Sequence, residues 1–189
     1  MAGRNLFNRA KPVLTFCVFL FKLLPRFLRV FIWDAISPFS QIPFIAVRYA
    51  LLKSLIGECG ANVLVADHVR IKGWKGIKIG NNVSIQAGCY IEGEGGVQIG
   101  SNVSIAHHST LLSSTHTWED SSLPIKYNPL VLQPLTIADD VWIGCACRIM
   151  GGLHVGERTI LAAGAVLTKD ALSGGIYGGV PARRIKGLK

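Results

Sequence analysis

From about residue 61 onward the chain repeats an apolar position every six residues. Ile79-Gly80-Asn81-Asn82-Val83-Ser84-Ile85 recurs as Ile99-Gly100-Ser101-Asn102-Val103-Ser104-Ile105. Ile137-Ala138-Asp139-Asp140-Val141-Trp142-Ile143 and Val155-Gly156-Glu157-Arg158-Thr159-Ile160-Leu161 follow the same pattern. Aliphatics hold register at Val65, Ile71 and Ile77, and longest at Ile137, Ile143, Ile149, Val155, Leu161 and Leu167. An amphipathic helix repeats at three and four, so a period of six excludes it and predicts a short strand and a corner, again and again. Three such sides close a coil of about 18 residues, and stacked coils pair strand on strand at about 4.8 Å. The aliphatic points into the prism, and the residue four places on must be small. Cys89 and Cys147 fall in that slot, which predicts packing and not chemistry. The glycine after the aliphatic is expected at a corner, with positive φ.

Between Leu111 and Leu135 the register fails. The segment 112–134 opens Leu112-Ser113-Ser114-Thr115-His116-Thr117-Trp118-Glu119-Asp120 and runs on through Pro124, Pro129 and Pro134. A long excursion from a rigid solenoid, carrying His, Trp and two carboxylates, is the place to look for a functional site. Glu119 and Asp120 are candidates to orient the His116 imidazole.

Residues 1–60 have no hexad. Three apolar stretches, 13–24, 27–33 and 42–52, are divided by prolines, and the first, at twelve residues, is too short for a bilayer that needs about 20. On one continuous helix Lys11, Lys22, Arg26 and Arg29 would form a single basic stripe. Of the formal net charge of +9, this third holds +6: eight Lys/Arg against Asp34 and Glu58. Basic residues threaded through Phe, Leu and Ile favour an anionic membrane surface over nucleic acid. A helical pair that packs on the main domain is the plain alternative. The small-x-small site nearest a cleavable leader, Ala35-Ile36-Ser37, lies well past the apolar core.

Composition adds exclusions. Half of the 189 residues are apolar and the 21 Gly have no three-residue period, so neither a disordered nor a collagen-like chain fits. The five Cys form no C-x-x-C pair, which predicts free thiols in a reducing compartment and no structural zinc.

Hexads followed by Val141-Trp142-Ile143-Gly144, Ala162-Ala163-Gly164-Ala165-Val166-Leu167-Thr168-Lys169-Asp170 and Gly179-Val180-Pro181-Ala182-Arg183-Arg184-Ile185-Lys186 resemble the bacterial hexapeptide-repeat acyltransferases, most nearly the sugar and polysaccharide O-acetyltransferases. The resemblance covers residues 63–189. It implies a mainly β fold, a left-handed parallel β-helix with an extruded loop, here preceded by a helical lead: 1–60 lead, 61–172 β-helix with loop 112–134, 173–189 tail. It implies a homotrimer with sites between neighbouring prisms, acetyl-CoA as co-substrate, a sugar or glycan acceptor and no metal. His116 would be the general base. Cys145, Ala163 and Gly164 would line the pantetheine arm, and Lys169, Arg183 and Lys186 would meet the phosphates. Trp142 would wall the acceptor pocket. Cys145 stands where the sugar enzymes commonly have Ser. The lead, similar to that of capsule and lipopolysaccharide enzymes, implies a place on the cytoplasmic face of the bacterial inner membrane.

Three rival functions fit the chain less well. The zinc carbonic anhydrases of the same fold need a His pair five apart, and His108 to His116 is eight. A scaffold would not need the loop His and basic tail. A small-molecule acetyltransferase acting on an antibiotic, free sugar or serine would not need the apolar lead. His68, His107, His108 and His154 are expected at outward corners.

Overall fold

A computed structural model describes residues 2–188, with side chains from Phe7 on; Met1, Lys189 and the Arg4 side chain lie outside the described residues. The lead forms helices α1 (Ala2–Leu23), α2 (Arg26–Ala35) and α3 (Ile42–Leu55). Helix α1 passes through Pro12 instead of starting behind it. Pro12 removes one N–H from the ladder, and Thr15 Oγ1 donates to Lys11 O, 2.9 Å, in the same turn. The chain breaks at Pro25, which serves as N-cap of α2. The single basic stripe is therefore not formed. Arg29 turns inward and donates to Ser54 O. Arg48 is also structural: 1% exposed, it donates from Nε to Val65 O (2.9 Å) and from Nη1 to Phe39 O (2.8 Å). Burial pulls its pKa down, and Asp67 offsets part of this. Leu51, Leu52 and Leu55 of α3 are buried, and α3 packs on the first coil. Trp33 stacks edge-on to Trp74 at 5.0 Å. Each such buried side chain contributes about 1.5–3 kcal/mol, and the lead covers an end of the prism where the inward aliphatic side chains of the first coil would otherwise meet water.

The first coil holds β1 (Glu58–Cys59), β2 (Leu64–Val65) and β3 (Arg70–Lys72). The second holds β4 (Ile77–Ile79), β5 (Ser84–Ile85) and β6 (Tyr90–Glu92), and the third β7 (Val97–Ile99), β8 (Ser104–Ile105) and β9 (Thr110–Leu111). An arm follows, with β10 (Ser114–His116) and β11 (Leu130–Leu132). The fourth coil holds β12 (Leu135–Ile137), β13 (Trp142–Ile143) and β14 (Arg148–Ile149). The fifth holds β15 (His154–Val155), β16 (Ile160–Leu161) and β17 (Val166–Leu167), and β18 (Gly175–Gly179) and β19 (Ala182–Gly187) end the chain. Strands one coil apart pair in parallel into three faces: β1-β4-β7-β12-β15, then β2-β5-β8-β13-β16-β18 with β19 added antiparallel, then β3-β6-β9-β14-β17. The final hairpin is thus hydrogen-bonded into the second face.

Early coils are longer than expected. Asn62 sits under Asn82, 20 residues on, whereas Asp140 sits under Arg158, 18 on. The extra residues lie at the corner between third and first faces, where Gly73 (φ +62°) leads into a short turn at Trp74–Gly76. The inward aliphatics are buried throughout, and Cys89 and Cys147 fill the small slots, 1% and 0% exposed. The expectation for the corner glycines is corrected. Positive φ falls two residues later, on Asn62, Asn82, Asn102, Asp140 and Arg158. Asn and Asp tolerate this region better than most residues. The asparagines also join into a ladder, Asn62 Nδ2 to Asn82 Oδ1 at 3.0 Å and Asn82 Nδ2 to Asn102 Oδ1 at 3.1 Å. Glycine is needed at 80 and 144 for closeness instead: a Cβ would stand 2.7 Å from the carbonyl carbon of Gly100 or the amide of Ala163 in the next coil.

Candidate active site

The arm leaves at the corner between the third and first faces and folds on itself as an antiparallel hairpin, with His116 opposite Leu130. Its root is held by Glu92, 7% exposed. The carboxylate accepts from Ser113 N (3.0 Å), Ser114 Oγ (2.9 Å) and Glu94 N (2.8 Å). Ser113 Oγ donates to Glu92 O at 2.7 Å. Burial pushes this pKa up, but the bonds from Ser113, Glu94 and Ser114 outweigh it and hold the group below the usual glutamate range. The tip is held by Asn128, 4% exposed, whose Nδ2 donates to Asp120 O and whose Oδ1 accepts from Asp120 N. His116 ends β10 with its side chain in solvent. Asp120 does not orient it: its carboxylate accepts from Ser122 Oγ and N, and these bonds lower its pKa. Leu123, Ile125, Tyr127, Leu130 and Leu132 leave the arm with an exposed apolar surface.

Cys145, Ala163 and Gly164 stand on a different corner, between the second and third faces. Gly164 (φ +73°) donates its N–H to Cys145 O at 2.8 Å, so the two are stacked neighbours of adjacent coils. Lys169 and Arg183 line a depression of about 260 Å³ with Asp170, Tyr177 and Arg184. Lys186 lies beyond a register shift in the hairpin, opposite Ile176. Trp142, 54% exposed, lines an open cleft of about 500 Å³ on the second face with Asn102, Ser104, Asp140 and Arg158. Lys169 follows β17 at the corner between the third and first faces, the corner that carries the arm two coils below, so one chain sets His116 apart from Cys145, Ala163 and Gly164 but not on a different corner from Lys169. Among the described residues no three His, Cys, Asp or Glu side chains cluster to hold a metal. His107 and His108 are exposed and meet edge to face at 5.5 Å, while His154 lies in a strand and not at a corner. Sequence reasoning missed Glu92, Asn128 and Arg184. For Glu92 the available signal was an acidic residue just before the glycine-rich corner 93–96.

Two family models match this prism: the bacterial transferase hexapeptide (six repeats) over residues 134–169 and the hexapeptide repeat of succinyl-transferase over 60–93. The galactoside O-acetyltransferase of Escherichia coli (strain K12) is 31% identical over 139 residues, which cover 74% of this chain and 68% of that protein. The chain belongs to the hexapeptide-repeat acetyltransferases. Its fold is accordingly the left-handed parallel β-helix. A hexapeptide-repeat acetyltransferase of Vibrio cholerae superposes on the enzyme with TM-score 0.77 and 27% identity, over 87% of this chain and 90% of that one. In a second crystal structure, from Vibrio cholerae O1 biovar eltor, that protein is complexed with acetyl coenzyme A; the match has TM-score 0.73 and 25% identity over 94% and 88% of the chains.

Proposed function

We propose that the enzyme moves the acetyl group of acetyl-CoA to a sugar hydroxyl of a cell-surface polysaccharide or its lipid-linked precursor. It acts as a homotrimer on the cytoplasmic face of a bacterial inner membrane, with residues 1–60 against anionic lipid. One observation carries the reading: the His116 arm leaves the corner between the third and first faces, whereas the Cys145–Ala163–Gly164 wall lies on the corner between the second and third, an arrangement in which a neighbouring copy would bring an arm to the wall. The exposed apolar side of the arm is suited to such a neighbour.

In that cleft Lys169, Arg183 and Arg184 offer cations to the phosphates of coenzyme A, and Lys186 extends the basic edge. The stacked backbone at Cys145, Ala163 and Gly164 offers a flat wall for the pantetheine arm. Gly164 has open space where a Cβ would be. The thioester arrives activated, so the protein has only to supply a base and a path for the proton. A sugar hydroxyl is a poor nucleophile until its proton is taken; the neutral His116 imidazole takes it as the oxygen attacks the thioester carbon. The imidazolium returns the proton to the departing thiolate. Trp142 offers an aromatic wall to a sugar ring.

Subunit mixing tests this. His116→Ala alone should lower turnover by about 10²–10⁴ and spare acetyl-CoA affinity. Trimers mixed at random from His116→Ala and Arg183→Ala subunits should recover about a quarter of wild-type activity, because one site in four joins an intact His116 to an intact Arg183 of its neighbour. No recovery, with both variants folded and co-assembled, would refute a shared site.

A further inference from the structure

Helix α1 has three sides. At about 100° per residue, Leu14 and Val18 fall on an arc that packs against α3, with half-buried Phe7, Ala10 and Phe21 beside them. Lys11, Thr15 and Lys22 share the next arc, exposed. Val13, Phe16, Phe19, Leu20 and Leu23, 45–67% exposed, occupy the third, which faces away from α3 and carries exposed Arg9 at its N-terminal end. Helix α2 adds Phe27 and Phe31, 75% and 67% exposed. A surface helix needs one apolar stripe; this one has two, and the protein covers only one of them. The uncovered arc is bordered by ammonium groups, and α1 contains no acidic residue. Lys11 and Lys22 are eleven residues apart, nearly in line along the helix and about 16 Å from each other. Among the described residues no helix is long and apolar enough to cross a membrane.

We propose that α1 and α2 lie flat in the interface of an anionic bilayer. Val13, Phe16, Leu20, Leu23, Phe27 and Phe31 enter the acyl boundary. Lys11 and Lys22 reach the phosphate level along one flank, as lysine stems do at interfaces. Helix α3, with Arg48 and the Ser54 carbonyl that binds Arg29, stays in the protein. This rests on the membrane-surface reading above and specifies the contacting face. Charge complementarity favours lipid over a second copy of the chain, whose matching helices carry the same lysines.

Flotation of the full-length protein provides the test, with vesicles of phosphatidylcholine and phosphatidylglycerol at 3:1 and of phosphatidylcholine alone. The wild type should float with the anionic vesicles at low salt. Phe16→Glu/Leu20→Glu should lower the partition coefficient at least about 100-fold. Lys11→Glu/Lys22→Glu should lower it about 30-fold or more on anionic vesicles only. Leu172→Glu, an exposed apolar position on the prism, should change nothing. Wild-type flotation of Phe16→Glu/Leu20→Glu overturns the assignment, as does a trimer that dissociates with that variant, which would make the face a subunit contact. Acetyl transfer to a soluble sugar, followed in the same samples, should survive all three changes. Loss of flotation with intact transfer supports the surface; a wild type that floats but neither binds acetyl-CoA nor hydrolyses or transfers its acetyl group refutes the catalytic reading and leaves the surface standing.

Discussion

Replacing Glu92 with Ala should unfasten the arm while leaving the prism intact. Ser113 is fully buried, so its N–H, deprived of the carboxylate 3.0 Å away, costs about 1–3 kcal/mol. The half-buried Ser114 hydroxyl loses a charged acceptor at 2.9 Å, about 1 kcal/mol more. Glu94 is exposed, and its N–H finds water. The loss of about 2–4 kcal/mol falls on local opening, because no prism strand depends on this carboxylate. Amide hydrogen exchange reads it directly. The amides of Gln133, bonded to Ser113 O, and Thr117, bonded to Pro129 O, should exchange about 30 to 1,000 times faster. The amide of Ala106, bonded to Ile143 O inside the prism, should keep its wild-type rate. Glu92→Gln, which retains one acceptor oxygen, should fall between. Acid should mimic the change. The folded pKa is depressed, so the stabilisation is complete above the unfolded glutamate value of about 4.3 and is lost as pH falls through the lower folded value. Exchange at Gln133 and Thr117 within about threefold of wild type in Glu92→Ala would refute the anchoring argument.

Two further outcomes are expected. Arg183→Ala should weaken coenzyme A binding by about 1.5–3 kcal/mol in calorimetry and spare a pantetheine thioester that lacks the nucleotide phosphates; equal losses would make the hairpin purely structural. At pH 8 a thiol reagent should modify half-buried Cys17 and Cys145 while the folded protein shields Cys89 and Cys147, whose pKa values burial raises, and Cys59, pushed by burial up to about 11 despite Lys53; that leaves about one Cys59 in a thousand as thiolate, and coenzyme A should protect Cys145 but not Cys17.

The repeat was legible because each coil touches only the coils above and below it. Ile79, Ile85 and Ile91 must recur to keep one narrow interior filled, and period alone reveals them. The corners were read less well. Gly80 is demanded by the next coil's backbone, not by its own torsion, and that contact leaves the same letter in the chain. In the lead, a helical wheel counts Arg29 and Arg48 as surface charge because it cannot see the carbonyls of Ser54, Val65 and Phe39 that they meet. Glu92 and Asn128 act on a segment without period, where partners lie at irregular separations. His116 stood out for the opposite reason, as the histidine inside the break. That Cys145, Ala163 and Gly164 lie on another corner could not be read from a chain whose three faces have the same pattern.

The arm interrupts the chain but not the stack. Leu135 pairs with Val97, and Ile149 with Leu111, in the same parallel register that the coils below maintain. The two stems of the insertion, at Ser113 and Gln133, are tied to each other by a 2.7 Å hydrogen bond. The insertion is therefore a cassette: its length and sequence can change while both stems stay in place, because closing a longer loop adds only a slowly growing entropic cost. Transplanting a relative's arm between Ser113 and Gln133 should then leave the parallel register of the coils on either side unchanged.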